Sequence, residues 1–486
     1  MGLRGRELHP TAREFEEAAL GDERRTARLV RMADALARQP DVSFPKVAGS
    51  DVELESYYRL LSNPNVAAAA ILAPHQRETK KRASKLDEVV VIHDTTEFQL
   101  GHADPNEVGY LATNKPGFMG HVSLVVSADG QRRPLGVSSL ETVFRMERRR
   151  HGGRKVSGNV TTKQADRESL RWERGIETSE ALLSPGRAIH VADREADSYR
   201  LLALLVQSNA RFVIRVRHDR RARLADDDAA QWSWAKDLIA AADACELERE
   251  VPLSHRRGST TPRGARAHPA RTGRMAKLRF ATTRMELGRP RYFDDPMPRS
   301  VTLNCVRVYE VDVPPGEEPV EWVLVTTEPI TTAADVGRVV DLYRTRWTIE
   351  EFFKALKSGC IYEERQLESR RALLNALAIS LPIACHLLWL RSRAQHASDA
   401  PATEVLSLTQ LLVLRHVAKR PVPEQASARD VLWAIAGLGG HLKANGEPGW
   451  ATIRHGLQRL LDFEIGFRLH HRPHSSSQNA EIAEEL

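Results

Sequence analysis

Two short apolar segments, each followed directly by an aspartate, constrain the fold of this chain more than any other feature. Residues 88–93 have the sequence EVVVIH and precede Asp94, and residues 188–192 have the sequence AIHVA and precede Asp193. Continuous apolar runs of this length are typical of strands that are buried on both faces of a sheet. If the two strands are neighbours in one sheet, their terminal carboxylates converge at the same edge.

The segments around these two runs predict a mixed α/β domain. Two further strands are joined by Ala128-Asp129-Gly130, a sequence typical of a hairpin. The remaining segments give the order strand, hairpin, helix, strand, helix, strand, which is the order of a ribonuclease-H-like core. The predicted bounds are 122–127 and 134–142 for the hairpin, 167–183 and 195–207 for the helices, and 211–216 for the last strand.

Residues 217–330 interrupt this order before the final helix of the core. The segment starts irregular and becomes strongly basic, because residues 256–291 contain eleven Lys or Arg and a single acid, Glu286. Strands are predicted at 302–311 and 320–327. A charge run of this kind is usually a mobile, solvated loop. Contact with a DNA backbone is the alternative.

The segment 341–357, DLYRTRWTIEEFFKALK, predicts the last helix of the core, since it lacks Gly and Pro and is long enough for more than four turns. At about 100° per residue, one narrow arc of this helix is polar. That arc carries Tyr343, Arg346, Glu350, Lys354 and Lys357. Such an arc is either a solvated face with i,i+4 ion pairs or a carboxylate that holds a metal beside a phosphate.

Asp94, Asp193 and Glu350 are therefore candidate metal ligands. Three carboxylates in dry surroundings repel one another unless divalent cations neutralise them. Oxygen-only ligands favour hard ions, so we expect Mg²⁺ or Mn²⁺. Two such ions about 3.5–4 Å apart activate a water or a 3′-hydroxyl for in-line displacement at phosphorus. The alternative for either aspartate is a turn or helix-cap role.

Composition limits the partners and the compartment. Lys and Arg exceed Asp and Glu by 71 − 64 = +7, with a pI near 9.3, a balance that suits nucleic acid. The four cysteines form no CxxC pair and are typical of reduced thiols in a cytoplasmic protein. No P-loop pattern is present, so no nucleotide cofactor is expected. Residues 372–390 carry no charge, but their polar residues and Pro382 favour a buried helix over a membrane span.

Helical segments are predicted on both sides of the core. In residues 1–70, segments 11–20 and 23–39 are periodic, and the second carries four arginines, Arg24, Arg25, Arg28 and Arg31. These arginines form either a solvated basic face or a helix laid on DNA phosphates. Beyond a linker near residue 397, the C-terminal part has predicted helices at 406–420, 428–437 and 450–463.

The spacing of Tyr343, Arg346, Glu350 and Lys357 resembles the Y-R-E-K signature of a family of bacterial DDE transposases. This is the fourth insertion-sequence family, the group that includes the transposase of transposon Tn-five. VVVIHDTT and VADREAD resemble the family's first and second acidic motifs. AALGDERRTARLV and YRLLSNPNV resemble its N-terminal domain, which binds the transposon end. The resemblance extends from about residue 18 to residue 463.

The resemblance implies three domains and a role for each candidate residue. A DNA-binding domain at 1–70 and a dimerisation domain at 397–486 would flank a ribonuclease-H-like catalytic domain at 71–396, with a β-rich insertion at 217–330. Asp94, Asp193 and Glu350 would be the catalytic metal ligands. The implied DNA contacts are Tyr343, Arg346, Lys354 and Lys357 on the cleaved end, Arg215 near it, Trp322 on an extruded base, and Arg24, Arg25 and Arg28 on the end repeat. For Trp322, a core position is the alternative.

The function implied by the resemblance is cut-and-paste transposition by a homodimer acting on double-stranded transposon ends and target DNA. Two Mg²⁺ or Mn²⁺ ions per active site would support cleavage through a hairpin intermediate, followed by joining of the 3′-ends to target DNA. A metal-dependent nuclease of the same fold and a non-catalytic DNA-binding relic are the alternatives. All three acids and both lysines of the predicted site are present, which argues against a decayed relic.

Overall fold

The protein is described by a computed structural model at residues 8–148, 168–227, 229–253, 255, 270–291, 297–396, 399–442 and 446–470. The chain divides into two compact units. Gln76–Glu350 forms one unit, and Met1–His75 together with Glu351–Leu486 forms the other. These divisions do not coincide with the predicted boundaries at residues 70 and 396, so the three-domain organisation remains a prediction.

The Gln76–Glu350 unit contains one large mixed sheet. Its strands in the described residues are β1 (Val89–Gln99), β2 (Gly117–Ser127), β3 (Pro134–Val143), β4 (Ala188–Ala192), β5 (Arg211–Arg215), β6 (Arg221–Leu224), β7 (Ser233–Trp234), β8 (Asp243–Leu253), β9 (Arg274–Gly288), β10 (Ser300–Val311) and β11 (Glu321–Thr326). The strand order is β3-β2-β1-β4-β5-β11-β10-β9-β6-β7, and β8 also pairs with β9. A mixed α/β class with a large sheet is therefore confirmed.

Helices precede, interrupt and follow these strands along the chain. They are α1 (Pro10–Glu14), α2 (Glu23–Arg38), α3 (Phe44–Val47), α4 (Asp51–Leu61), α5 (Ala68–Ala83), α6 (Pro105–Val108), α7 (Leu170–Leu182), α8 (Tyr199–Gln207), α9 (Ala235–Ala240), α10 (Ala333–Thr345), α11 (Trp347–Lys354), α12 (Arg370–His396), α13 (Leu408–Val417), α14 (Ala428–Leu438) and α15 (Trp450–His470). The predicted order of strand, hairpin, helix, strand, helix and strand corresponds to β1, β2–β3, α7, β4, α8 and β5, and is confirmed.

The first strand is longer than the sequence predicts. β2 pairs antiparallel with β1 along its whole length, from Val89 opposite Ser127 to Gln99 opposite Gly117. The prediction that this strand ends at residue 93 is therefore wrong, and Asp94 lies within β1. The parallel pairing of β1 with β4 does end there, at His93 opposite Ala192. Every residue of β4 and the first five residues of β1 are buried, as their apolar sequences predict.

The predicted hairpin is confirmed as β2 and β3, which pair antiparallel. Its turn depends on two neighbouring residues. Asp129 accepts a hydrogen bond from the backbone N–H of Gln131 at 3.0 Å. Gly130 has a φ of 80°, a conformation that glycine adopts without a steric cost. The local sequence is therefore sufficient to place this turn.

The predicted single helix over residues 341–357 is wrong in its bounds. α10 begins at Ala333 after a capping box between Thr332 and Asp335 and ends at Thr345. Arg346 interrupts the helix, α11 begins at Trp347, and Ala355–Gly359 continues as a π-helix. The five residues of the polar arc therefore do not share one regular helical face.

The insertion is more regular than the sequence predicts. Its expected irregular start contains β6, β7, α9 and β8. β9 occupies residues 274–288 of the basic stretch and pairs with β10 from Gly288 opposite Ser300 to Lys277 opposite Val311. A mobile loop is therefore wrong for this part of the basic stretch, and residues 256–269 lie outside the described residues. The predicted strands at 302–311 and 320–327 are confirmed as β10 and β11.

The second unit is helical in its described residues. α2 begins after the N-cap Asp22 and buries one face that includes Leu29, Met32 and Leu36. The three C-terminal helices predicted from the sequence are confirmed as α13, α14 and α15, although α15 continues to His470. In α12, the segment Arg370–Gln395 is long enough to span a membrane and contains an 18-residue window with a mean hydropathy of 1.9, but 83% of that window is buried. This is the burial expected of a core helix.

Candidate active site

Two of the predicted acids are adjacent in the sheet because of strand register. The parallel pairing of β1 and β4 ends with His93 opposite Ala192, and the next residue in each strand direction is an aspartate, Asp94 or Asp193. Neighbouring strands lie about 4.8 Å apart, so the register brings these two residues to the same edge of the sheet. Burial around the two strand ends makes this a site where charge interactions are weakly screened.

The carboxyl group of Asp94 is fixed by two donors. Its Oδ1 accepts a hydrogen bond from the Thr95 backbone N–H at 2.8 Å, and its Oδ2 accepts one from Arg346 Nη1 at 2.8 Å. Burial raises the pKa of Asp94 to about 6, the Arg346 charge opposes this shift, and the charges of Glu350 and Asp193 add to it. The three predicted acids therefore influence one another electrostatically.

Asp193 caps a short helix and also contacts α10. Its Oδ1 accepts a hydrogen bond from the Arg194 backbone N–H at 2.7 Å, at the start of the 3₁₀-helix Arg194–Ala196. The same oxygen accepts a hydrogen bond from Tyr343 Oη at 3.2 Å. Burial and the Asp193 charge raise the pKa of Tyr343. The cap role anticipated as an alternative is thus present, together with a contact to a predicted site residue.

Arg346 contacts both Asp94 of β1 and Glu350 of α11. It lies at the break between α10 and α11, with 12% of its side chain exposed, and its Nη1 is 3.6 Å from Glu350 Oε1 as well as 2.8 Å from Asp94. Burial lowers the pKa of Arg346, but the charges of Asp94 and Asp193 outweigh it, so the pKa is raised overall. Arg346 therefore remains charged and is the cation that these carboxylates share in the structure.

The donor set suits a hard divalent ion in chemistry, because it consists of three carboxylates, one of them with a raised pKa. Arg346 donates to one oxygen of Asp94 at 2.8 Å. In the part of the chain that the structure describes, no three His, Cys, Asp or Glu side chains are grouped to hold an ion. An ion at Asp94 would compete with Arg346 for the same oxygen.

Arg215 and Trp322 lie on neighbouring strands beside Tyr343. Arg215 Nη2 donates to the Glu321 carbonyl at 3.3 Å, and the Trp322 ring lies 5.7 Å from the Tyr343 ring at an interplanar angle of 58°. Trp322 is partly buried, and its predicted role on an extruded base remains a prediction. Both residues line a cavity of about 180 Å³, whose other lining side chains include Arg271, Glu317 and Glu321.

Lys354 and Lys357 belong to the second compact unit, which includes Glu351–Leu486. Lys354, the last residue of α11, contacts Glu351 at 2.8 Å, and Lys357 lies 3.5 Å from Glu363. Glu351, which directly follows the predicted ligand Glu350 in sequence, also pairs with Arg391 at 2.7 Å. The predicted phosphate-binding role of the lysines remains a prediction.

The N-terminal arginines differ in their surroundings. Arg24 is exposed, whereas Arg25 and Arg28 are partly buried. Arg25 Nη1 donates to the Leu20 carbonyl at 3.0 Å and so closes the turn before α2. Arg24 is therefore the most accessible of the three, and their predicted contact with DNA remains a prediction.

Two residues near the acids were not predicted from the sequence. Thr95 follows Asp94 and its hydroxyl contacts His121, while Arg171 of α7 reaches Thr95 from 76 residues away. The motif Asp-Thr-Thr contained a clue to Thr95. No local pattern distinguishes Arg171 from the other arginines around it.

Two family models match this chain. The transposase DNA-binding model matches residues 11–66, and the transposase DDE domain model matches residues 158–388. The two matches support a DDE transposase. The first match contains the N-terminal arginines, and the second contains Asp193 and Glu350 but begins after Asp94. DDE domains have a ribonuclease-H-like fold, cut DNA and generally depend on a divalent metal.

One solved structure similar to this chain is a cryo-EM structure of the piggyBac transposase synaptic complex with hairpin DNA. The likeness has a TM-score of 0.32 and 9% sequence identity, over 100% of this chain and 78% of that chain. At that level it carries no argument about the fold or function of this chain.

Proposed function

We propose that this protein is a cytoplasmic cut-and-paste DNA transposase. In this proposal it binds transposon ends, cleaves them by phosphodiester hydrolysis and joins the freed 3′-ends to target DNA, with a hairpin intermediate. The observation that carries the proposal is the cluster in which Arg346 links Asp94 to Glu350 of α11 while Tyr343 links Asp193 to α10. The specific resemblance to the fourth insertion-sequence family supports the cut-and-paste route.

Asp94, Asp193 and Glu350 would hold two Mg²⁺ or Mn²⁺ ions. Such ions, when bound, lower the pKa of a coordinated water and stabilise developing charge at phosphorus. The chain's own contribution is to orient the three carboxylates and to limit access of water to them. The 18% exposure of the Asp94 side chain and the 38% exposure of Glu350 leave the cluster open on one side, where DNA would enter.

Arg346 and Tyr343 would bind the phosphates of the cleaved end. A guanidinium forms paired hydrogen bonds with phosphate oxygens, and the Tyr343 hydroxyl adds a further donor. Trp322 would stack on an extruded base beside Arg215, a contact worth roughly 1–3 kcal/mol per base. No covalent bond between protein and DNA is required, so Tyr343 is assigned as a ligand and not as a nucleophile.

The flanking segments would select and pair the DNA ends. Residues 1–70 would bind the end repeat through Arg24 and Arg28, and residues 397–486 would join two copies into a synaptic homodimer. The match to a transposase DNA-binding model over residues 11–66 supports the first of these assignments. A homodimer would let each copy cut the end held by the other.

The test is a reconstitution with the terminal repeats that flank the gene. Purified protein, a duplex carrying one repeat, a supercoiled target plasmid and Mg²⁺ are incubated, and the products are separated on a denaturing gel. Excised ends joined to the plasmid are expected. Cleaved ends without joined products would instead favour a nuclease of the same fold, and uncleaved but bound ends would favour a DNA-binding protein without catalysis.

End binding has a separate test in the salt dependence of affinity. Replacing both Arg24 and Arg28 with alanine should flatten the plot of log affinity against log salt by about 0.9 for each lost phosphate contact. Arg59→Ala is a matched control, because Arg59 is exposed but already pairs with Glu55 at 2.5 Å. An unchanged slope in the double variant would contradict the assignment of α2.

A further inference from the structure

Asp94 is oriented partly through the residue that follows it. The Thr95 backbone N–H donates to Asp94 Oδ1 at 2.8 Å, so the direction of this carboxyl depends on how the Thr95 peptide is held. Thr95 lies just beyond the last pair of β1 with β4, so β4 no longer supports β1 on that side. The position of Thr95 therefore depends more on its side-chain contacts than do the positions of residues 89–93, which pair with β4.

The Thr95 hydroxyl is held from two sides. Arg171 Nε donates to Thr95 Oγ1 at 2.8 Å, and Thr95 Oγ1 lies 3.0 Å from His121 Nδ1. Burial lowers the pKa of His121 to about 3, with a smaller contribution from the Arg171 charge, so the imidazole is neutral. A guanidinium can only donate, so Thr95 Oγ1 accepts the bond from Arg171, and the hydroxyl forms its second hydrogen bond with the neutral imidazole of His121.

Arg171 also reaches the segment that carries the second acid. Its Nη2 lies 3.1 Å from Glu195 Oε2, two residues beyond Asp193, and its Nη1 donates to the Glu168 carbonyl at 2.7 Å. The guanidinium is 11% exposed, and the structure gives it no direct hydrogen bond to Asp94. Its hydrogen-bonded connection to Asp94 therefore runs through Thr95, in addition to the direct attraction between the two charges.

We propose that Arg171 and Thr95 are positioning residues that fix the Asp94 carboxylate for metal binding. Arg171 on α7 holds the Thr95 hydroxyl, and the Thr95 peptide in turn holds Asp94 Oδ1. The inference rests on the proposed function, because it assumes that Asp94 is a metal ligand. Residues that support ligands in this way commonly change metal affinity by about 10- to 100-fold when they are replaced.

The decisive variants change the hydroxyl without changing charge. Thr95→Val removes the hydroxyl at nearly constant shape, and Thr95→Ser retains it. Mn²⁺ affinity of the full-length protein is measured by calorimetric titration without DNA, and folding is checked by circular dichroism and thermal melting. We expect Thr95→Val to bind Mn²⁺ about 10-fold more weakly than wild type, and Thr95→Ser to remain within about twofold of it.

A buried threonine elsewhere in the sheet provides the matched control. Thr326 in β11 is fully buried, and its hydroxyl donates to the Phe212 carbonyl at 2.5 Å. Thr326→Val should lower the melting temperature and leave Mn²⁺ affinity unchanged. A loss of affinity in this control equal to that of Thr95→Val would overturn the proposal, since it would show a general structural effect.

Arg171→Lys keeps the positive charge but loses the guanidinium group that donates to several partners at once. This variant tests the proposal if Thr95→Val does not fold. We expect Arg171→Lys to weaken Mn²⁺ binding as much as Thr95→Val, and the double variant to be no weaker than either single variant, because both act through one hydrogen bond. Unchanged Mn²⁺ affinity in folded Thr95→Val or folded Arg171→Lys would overturn the inference alone. Wild-type protein that binds no Mn²⁺ would overturn the proposed function with it.

Discussion

The strand-borne and helix-borne parts of the candidate site are held in place by different means. Asp94 and Asp193 follow the last parallel pair of β1 and β4, so backbone hydrogen bonds determine their separation. Tyr343, Arg346 and Glu350 lie on either side of the break between α10 and α11. Tyr343 and Arg346 are held by side-chain contacts with Asp193 and Asp94. We therefore expect the strand-borne part to keep its geometry when a ligand binds and the helix-borne part to rearrange.

The largest expected effect comes from changing the acids, and it should differ between the two parts. Asp94→Asn and Glu350→Gln should each reduce end cleavage by about 10³-fold or more, since metal-assisted catalysis supplies several kcal/mol. Glu350→Asp should retain more activity than Asp94→Glu. We expect α11 to move slightly and compensate for the changed side-chain length, whereas the paired strand β1 should not. Single-turnover cleavage of an end duplex in Mg²⁺ measures both, and equal residual activities would contradict the contrast.

Arg346 tests whether the helix-borne part is rearranged by a ligand. Arg346→Gln removes the cation that occupies Asp94 Oδ2, so Mn²⁺ should bind about tenfold more tightly in the absence of DNA, corresponding to the roughly 1.5 kcal/mol of a charged hydrogen bond. The same variant should bind end DNA more weakly, because Arg346 is assigned to a phosphate. Mn²⁺ titration and fluorescence anisotropy measure the two effects.

Arg344→Gln is the matched control for that experiment. Arg344 lies two residues before Arg346, and its Nη1 is 3.6 Å from Asp341. The Arg344→Gln variant loses the same charge two residues away, at the end of α10, without changing the hydrogen-bond partners of Asp94. Equal changes in the two variants would mean that total charge, and not competition for Asp94, governs Mn²⁺ affinity.

The same contrast explains how much the sequence could predict. The apolar runs before Asp94 and Asp193 predicted two buried strands correctly, because burial on both faces leaves a continuous apolar run in the sequence. The continuation of β1 beyond Asp94 was missed, since it depends on pairing with β2 and not on local residues.

The helix break at Arg346 and the role of Arg171 also could not be predicted from local sequence. Residues 341–357 have no Gly or Pro, so nothing local predicts an interruption at Arg346, whose side chain bonds to an acid 252 positions earlier. Arg171 likewise reaches Thr95 across 76 positions. Contacts between side chains that are far apart in sequence are not recorded in a helical or strand pattern, which is why the acids were predicted and their supports were not.

The pH dependence of metal binding follows from the strand-borne acid. The pKa of Asp94 is raised to about 6, mainly by burial, so this carboxyl is protonated below pH 6 and ionised above it. Mn²⁺ must displace that proton, so affinity should fall about tenfold per pH unit below pH 6 and be nearly constant just above it.

Two variants sharpen that prediction. Arg346 lowers the pKa of Asp94, so Arg346→Gln should move the inflection to a higher pH. Asp94→Asn should remove the inflection altogether. Calorimetric titrations between pH 5 and pH 8 provide the measurement, and an inflection that persists in Asp94→Asn would assign the proton to another group.

The smallest effect concerns Lys354 and Lys357, which follow the helix-borne acid in sequence. Each has an acidic neighbour, Glu351 or Glu363, and such pairs contribute at most about 1 kcal/mol to stability at exposed positions. Replacing either lysine with glutamine should therefore barely change the melting temperature. If each lysine binds a phosphate, its loss should reduce the slope of log affinity against log salt by about 0.9.

The control for the lysines is Lys236→Gln, because Lys236 is exposed and lies 3.7 Å from Asp219. Its loss removes one positive charge from the protein without touching the signature. Slopes reduced for Lys354 and Lys357 but not for Lys236 would mean that these lysines exchange an acidic neighbour for a phosphate, as Arg346 is expected to do. Equal slopes in all three variants would restrict the ligand-dependent rearrangement to Arg346 and leave the lysines as ordinary helical ion pairs.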